Sequence, residues 1–363
     1  MKRKTLVLLL LLFLFFLPIG FLYAQEENSY KGTVKDIKEV SCAEVLDEGY
    51  NCFTYDVSIP ELDAVEETIP MLAETETPKF NEGDKVYITS VTDEFGNEAW
   101  SITGYDRDMS MIIMIASFSI LVVLIGRKQG LGSLISLVLT VFILYVWAIP
   151  KLLNGQDVIL IGVLAVCVML VLMIYLSHGF NKKSSIGVLA TVIGMLLVAI
   201  LARLFMSIIN LDGAGSEEAF LLFSQTDGGI DLAQVYFLSI LVSAVGVLDD
   251  VIMSQISSVY EIHEANNHLS ALRLYKKAMN IGRDHISSMV NTLFIAYAGS
   301  SLSLVMLLTY NRGGIGNILK TDVIAEEITR TVVPSLGILL IVPIATFLAA
   351  TLVPLSEKRK STG

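Results

Sequence analysis

Apolar runs long enough to cross hydrocarbon recur seven times after residue 108, at about 109–126, 131–150, 157–177, 186–208, 233–257, 287–310 and 333–354. In lipid the backbone must satisfy its own hydrogen bonds, which leaves only helices and closed barrels as spanning structures. Runs of this length and continuity specify helices. The fold class is therefore an all-α polytopic membrane bundle, with the lipid bilayer as principal partner. A composition that is 54% hydrophobic agrees with that reading.

An eighth run opens the chain, in "MKRKTLVLLLLLFLFFLPIGFLYAQEENS". It has a basic start, a Leu/Phe-rich centre, and the small Ala24 before Gln25, where a signal peptidase cuts. Leu22 is a mediocre residue at the −3 position, so residues 1–24 read equally as a signal peptide or as a retained signal anchor. Both readings place residues 25–105 outside the cytoplasm.

That outer segment alternates apolar and polar residues in short runs such as "YKGTVKDIKEV", "NCFTYDVSIP" and "DKVYITSVTD", separated by turn signals including "NEGD" and "EFGNE". The spacing predicts a small β-rich extracytoplasmic domain, an OB-like barrel or a sandwich. It carries 19 Asp and Glu against 5 Lys, more than the whole chain's net charge of −11. With no basic patch interleaved with aromatics, nucleic acid is excluded as a partner. Cys42 and Cys52 lie close enough in sequence for a disulfide closing a short loop, and Cys167 reads as a small buried hydrophobe in an apolar helix.

Charge orients the bundle. With Met1 starting inside, the loops assigned to the cytoplasm, together with the tail 357–363, hold 11 Lys and Arg against 4 in the loops assigned outside. The transmembrane domain, 106–356, then ends with the C-terminus cytoplasmic. The outer loop 209–232 contains a short interfacial helix at "SEEAFLLF". The inner loop 259–285 reads as a separate amphipathic helix with Leu269, Leu272, Tyr275 and Met279 on one face.

Polar residues inside the spans narrow the function. Ser239, Ser243, Gly246, Asp250, Ser254 and Ser257 recur every three or four residues and share one helix face. Asp250 falls roughly 12 Å from the inner boundary by the helical rise, at a depth where an ion is costly and a functional role is the default reading. Asp249 sits about 100° round the helix. Two carboxylates this close in a low dielectric do not readily ionise together, so the pair holds a proton or is compensated by a cation. In the next span Asp284, Ser288, Asn291, Thr292 and Gly299 form a second polar face. Asn291 and Asp250 are expected to face one another, with Gly246 and Gly299 allowing close approach. Arg203 is expected to snorkel outward.

Enzyme signatures are weak. Intramembrane aspartyl proteases use two well-separated Asp, one following Gly-x-Gly, and neither Asp249 nor Asp250 has that context. "GGIGN" at 313–317 lacks the strand–turn–helix setting of a nucleotide site. His263, Glu264 and His268 have unspecific spacing for a metal and read as surface residues. No cofactor is expected.

The stretches "GVLDDVIMS" and "MNIGRDHISSMVNTLFIAYAGSSL" resemble the YibE/F-like family of bacterial membrane proteins, as does the order of leader, small β-rich domain and about seven helices. The family's single Asp corresponds to Asp250, and Asp249 stands where the pattern has an apolar residue. Asn280, Gly282, Arg283, Asp284, Asn291, Thr292 and Gly299 also match. A shorter likeness, confined to the Asp-bearing helix and the polar helix after it, links the chain to SecD/SecF and other RND-type transporters, in which such residues relay protons. The YibE/F-like resemblance carries no function of its own; the shorter likeness implies a permease coupled to protons or a small cation. Asp250 and Asp249, with Asn291, Thr292, Ser254 and Ser288, would be the ion-handling residues, and Arg283 with Asp284 an inner gate or structural pair. From a different class, a non-transporting scaffold would bind a partner through its outer domain. A homo-oligomer or a paralogous membrane partner is compatible with both.

Overall fold

The computed structural model describes residues 29–40, 51–60, 65–73, 79–92, 98–312 and 315–361. The leader, Cys42 and the side chain of Cys52 lie outside the described residues, as does the disulfide expected between the two cysteines. The chain divides into two compact units, residues 1–121 and 122–363.

In the first unit, β1 (Ser29–Val40), β2 (Asn51–Ile59), β3 (Val65–Ala73), β4 (Lys85–Thr92) and β5 (Glu98–Tyr105) form one antiparallel sheet in the order β3-β2-β1-β4-β5. Strand β1 is long enough to pair with β4 through its first residues and with β2 through its last, and a bulge between Val34 and Asp36 bends it. The edge strands β3 and β5 approach one another, which curls the sheet into an OB-like, partly open barrel. Strict alternation decides its interior: Phe53, Tyr55, Val57 and Ile59 of β2 are all buried, together with Val34, Ile69, Val86, Ile88 and Ile102. Phe80 is wholly buried and meets Tyr55 and Tyr105 edge-on at centroid distances of 5.6 and 4.7 Å.

Where β5 runs into the first helix, the Lys31 ammonium donates to Asp108 at 2.6 Å and to Asp106 at 3.4 Å. Asp108 also accepts from the Tyr87 hydroxyl at 2.6 Å. The bond to Asp108 holds the Lys31 pKa above its ordinary 10.5. A raised folded-state value stabilises the unit below the unfolded lysine pKa, and that contribution is lost as pH rises through the folded value. Lys31→Met is therefore expected to destabilise the unit slightly at pH 8, by under about 1 kcal/mol since the pair is solvent-exposed, and so to lower its melting temperature. The difference from wild type should vanish in melts taken above the lysine range. A difference that persists unchanged there would mean the ion pair contributes nothing.

The second unit is helical, and its first helix begins within the first unit. Helix α1 (Asp108–Phe142) continues through a π-helical stretch, Ile143–Ala148, into α2 (Ile149–Leu153). After it come α3 (Val158–His178), α4 (Lys182–Ile209), the short α5 (Glu217–Gln225), α6 (Leu232–Ala265), α7 (Ala271–Ser300), α8 (Leu302–Arg312), α9 (Ile315–Ile318) and α10 (Asp322–Ser361). Among the described residues five helices are long and apolar enough to cross a membrane, or six with α7 and α8 taken as one span bent by 60°. The first of these covers 46 residues, Asp108–Leu153, more than twice what one crossing of about 20 residues requires. It is broken at Arg127, whose φ of 51° and ψ of −124° are not helical. A Cβ on Gly130 would strike the carbonyl of Val122, so the chain doubles back there. Counting the two limbs separately brings the number of spans to seven.

Side chains at the helix starts explain several boundaries. Asp157, Asn181, Ser216 and Asp231 each accept a hydrogen bond from the backbone N–H three residues on, capping α3, α4, α5 and α6. The separate amphipathic helix expected in the loop 259–285 does not exist. Its residues are the end of α6 and the first turns of α7, with Leu274 and Ala278 buried and Leu272 exposed. The last span is longer than its apolar run, because α10 begins at Asp322 and continues through Pro334, Pro343 and Pro354. Helix α6 is the hub, in contact with α3, α4, α7 and α10.

Candidate functional site

The apolar face of α6 builds the centre of the second unit. Ile240, Leu241, Ala244, Val245, Leu248, Ile252 and Ile256 are buried at helical spacing, and Asp249 falls among them. Asp249 is only 6% exposed, and its Oδ1 has no hydrogen-bond partner among the described residues. Val245 and Met253, one turn to either side, are buried apolar residues. The Met253 sulfur packs so closely on Gly187 of α4 that a Cβ there would collide with it. An ionised carboxylate in such a place is uncompensated, and this cost makes the residue a functional candidate.

Asp250 is exposed. One residue of helix separates the two carboxylates by about 100°, which turns Asp249 inward and Asp250 out of the bundle. The sequence reading weighted Asp250 as the central group, and the structure reverses the two. Alternation in burial along a helix depends on which neighbours pack against it, and a polar stripe does not reveal whether it faces the protein interior. His178, the last residue of α3, lies within electrostatic reach of Asp250.

The remaining candidates fall along the junction of α6 and α7. Ser254 and His285 Nδ1 are 3.2 Å apart and share a hydrogen bond that sets the register of the two helices. The Gln255 side chain, 1% exposed, donates to the Ala278 carbonyl at 2.9 Å. A Cβ on Gly282 would come within 3.1 Å of the Gln255 amide, so the glycine at that position of the motif makes room for a buried polar side chain. Gln255 was not among the sequence candidates; its spacing from the interior positions Leu248, Ile252 and Ile256 is the signal that could have found it.

Several pairings expected from sequence are absent. Asn291, Thr292 and Ser288 are exposed, Thr292 donates to the Ser288 carbonyl within its own helix, and Asn291 and Asp250 make no hydrogen bond to each other. Gly246 and Gly299 mediate no close helix contact, since nothing lies within 4 Å of a Cβ built on either. Arg283 reaches Asn280 at 3.4 Å and forms no ion pair with Asp284 among the described residues. Arg203 stacks over the Phe237 ring at 4.7 Å instead of extending freely. Cys167 is exposed, and His263, read as a surface residue, is buried at 3% exposure while His268 is exposed. No group of three or more His, Cys, Asp or Glu arranged to hold a metal occurs among the described residues.

A further polar network lies at the other end of α6, where the sequence suggested only a loop. Tyr236 donates to the Glu326 carbonyl at 2.7 Å, and the Glu326 carboxylate, 4% exposed as a residue, accepts from the Gly215 N–H at 3.0 Å. Arg330 pairs with Glu327 at 2.8 Å and lies 5.4 Å from the centre of the Tyr236 ring. Ser301, at the bend between α7 and α8, donates to Glu327 at 3.2 Å. These contacts tie α10 to the loop before α5, to α6 and to the helix break.

No curated protein and no solved structure is found to match the chain. The YibE/F-like protein family matches residues 114–355, which include every helix from α2 to α9, most of α1 and α10, and both aspartates, and leave the β domain outside. The chain is a membrane protein of the YibE/F-like family.

Proposed function

We propose that the protein is a proton-coupled permease of a bacterial cytoplasmic membrane, with Asp249 as the group that takes up and releases the proton. The observation that carries this reading is a buried carboxylate, inside an apolar span, with an oxygen that no described residue hydrogen-bonds. A carboxylate that only held helices together would have a donor.

A proton fits this environment better than a metal cation. A bare cation needs several oxygen ligands to replace its hydration shell. On its own helix the side chains one turn from Asp249, those of Val245, Ile252 and Met253, offer none. A proton needs only the carboxylate itself. Asp250 lies on the adjacent outward side, with His178 at the end of α3 within electrostatic reach. On the positive-inside orientation that end is cytoplasmic, as is the C-terminus, and the β domain is outside. No step in this reading requires bond making in a substrate, so it is not an enzyme.

The test is pH-difference infrared spectroscopy of the carboxyl band, on the full protein in lipid nanodiscs. Wild type is expected to show a carboxyl signal that appears and disappears with pH and is lost in Asp249→Asn, with the variant eluting as wild type by size exclusion. An identical pH-dependent signal in both proteins would overturn the assignment. It would leave the scaffold, working through its outer domain, as the reading to pursue.

A further inference from the structure

The unpartnered oxygen of Asp249 has a buried hydroxyl level with it on α4. Two close contacts fix how α4 and α6 pass one another. A Cβ on Gly187 would strike the Met253 sulfur, and a Cβ on Gly194 would come within 3.4 Å of Leu248 Cδ1. With the wholly buried Ala190, these glycines form a row of small residues that lets the two backbones approach. The contacts run in opposite directions along the chain, so the two helices are antiparallel. Thr191 lies one turn from Gly187 on the same face, and Asp249 one turn from Met253 on the same face. Both steps lead from the Gly187–Met253 contact toward the Gly194–Leu248 contact. The two contacts therefore bracket Thr191 and Asp249 and put them at one depth, on the sides of α4 and α6 that meet.

Thr191 is wholly buried, and its hydroxyl donates to the Gly187 carbonyl at 2.9 Å, within its own helix. That bond is exchangeable. A helix does not need it, since the same carbonyl takes the backbone N–H four residues on, and threonine divides between two rotamers in a helix. A hydroxyl has one proton and two lone pairs, so it donates to a carboxylate and accepts from a carboxylic acid. Among the described residues the charge acting on Asp249 is that of Asp250, on its own helix. On α3, Tyr175 is bonded to Ser185 and His178 ends the helix. On α4, Lys182, Lys183 and Arg203 each lie about 12 Å or more along the helix from Thr191. On α7, His285 is held by Ser254, and α10 has no titratable residue between Arg330 and Glu357. None of these reaches Asp249 Oδ1.

We infer that the Thr191 hydroxyl is the switchable donor to Asp249: it turns from the Gly187 carbonyl to the carboxylate when Asp249 gives up its proton, and turns back when the proton returns. The threonine keeps its own proton throughout and acts as a positioning residue. The structure shows the second arrangement, with the hydroxyl on Gly187 and Asp249 Oδ1 unbonded among the described residues. The inference rests on Asp249 being the proton-binding group.

The experiment is the pH-difference infrared titration of the full protein in lipid nanodiscs, carrying Thr191→Val, Thr191→Ser or Thr346→Val. Thr346 of α10 is the control for losing a buried hydroxyl: it is wholly buried and donates to the carbonyl of Val342, which lies against Gly282 of α7. Thr191→Val should raise the midpoint of the Asp249 carboxyl band by about one pH unit or more, because the ionised form loses a hydrogen bond. Thr191→Ser should keep the wild-type midpoint, and so should Thr346→Val. Thr191→Cys, a weak donor close to serine in shape, should fall between valine and wild type, and it decides the test where the valine variant does not fold. A midpoint unchanged by valine or by cysteine, a serine variant shifted as far as valine, or an equal shift from Thr346→Val would each overturn the inference and leave Asp249 as the proton site. A wild-type signal that Asp249→Asn does not remove would overturn the permease reading, and this inference with it.

Discussion

Replacing Asp249 by leucine is expected to raise the stability of the protein. The carboxylate is 6% exposed, sits between buried apolar side chains and leaves Oδ1 unbonded among the described residues. Exchanging an unpartnered buried polar group for an apolar one of similar volume removes a desolvation cost of about 1–3 kcal/mol. Stabilisation with loss of the pH-dependent carboxyl signal is the pattern expected of a residue kept for function at the expense of packing. Thermal melts of wild type and Asp249→Leu in nanodiscs measure it. A variant that melts lower by a similar amount would show that the carboxylate has a structural partner, and would count against the permease.

Gly132→Val is expected to be the most damaging single substitution in the first span. A Cβ on Gly132 would run into the carbonyl of Leu176 on α3, and a main-chain atom inside a helix does not move aside. Overpacking of this kind costs about 1–3 kcal/mol. It should separate the limb after Arg127 from α3, and a lowered melting temperature together with faster proteolysis near residues 126–130 would register it. Gly299→Ala is the control: nothing lies within 4 Å of the added methyl, and with the better helix propensity of alanine it should leave stability unchanged or raise it by up to about 1 kcal/mol. Equal losses in the two variants would show that the Gly132 contact does not hold the helices together.

Much of the architecture was legible in the chain because its signals are local. Apolar length identifies spans, since the bilayer sets a minimum run. Two-residue alternation identifies β2 and β4, since a strand's faces alternate by geometry. The motif from Asn280 to Gly299 identified the family that residues 114–355 confirm. The same locality explains the misreadings. The stretch from Ala271 to Arg283 looked like a surface helix because its charges are dense, yet it is continuous with the span that follows. Glu326, Glu327 and Arg330 looked like loop residues because charge ends an apolar run, yet α10 carries them against Tyr236 and Ser301.

The site divides along the same line. By itself, the sequence determined that two adjacent carboxylates lie in a membrane helix and that a polar face runs through each of two successive spans, because composition and a fixed helical period are enough for that. Only the tertiary structure decided which carboxylate is inside. Asp249 and Asp250 differ by one step of rotation, and nothing in either residue distinguishes them. The packing of α3, α4 and α10 around α6 covers one side of that helix and leaves the other open, and this choice depends on contacts between residues distant in the chain.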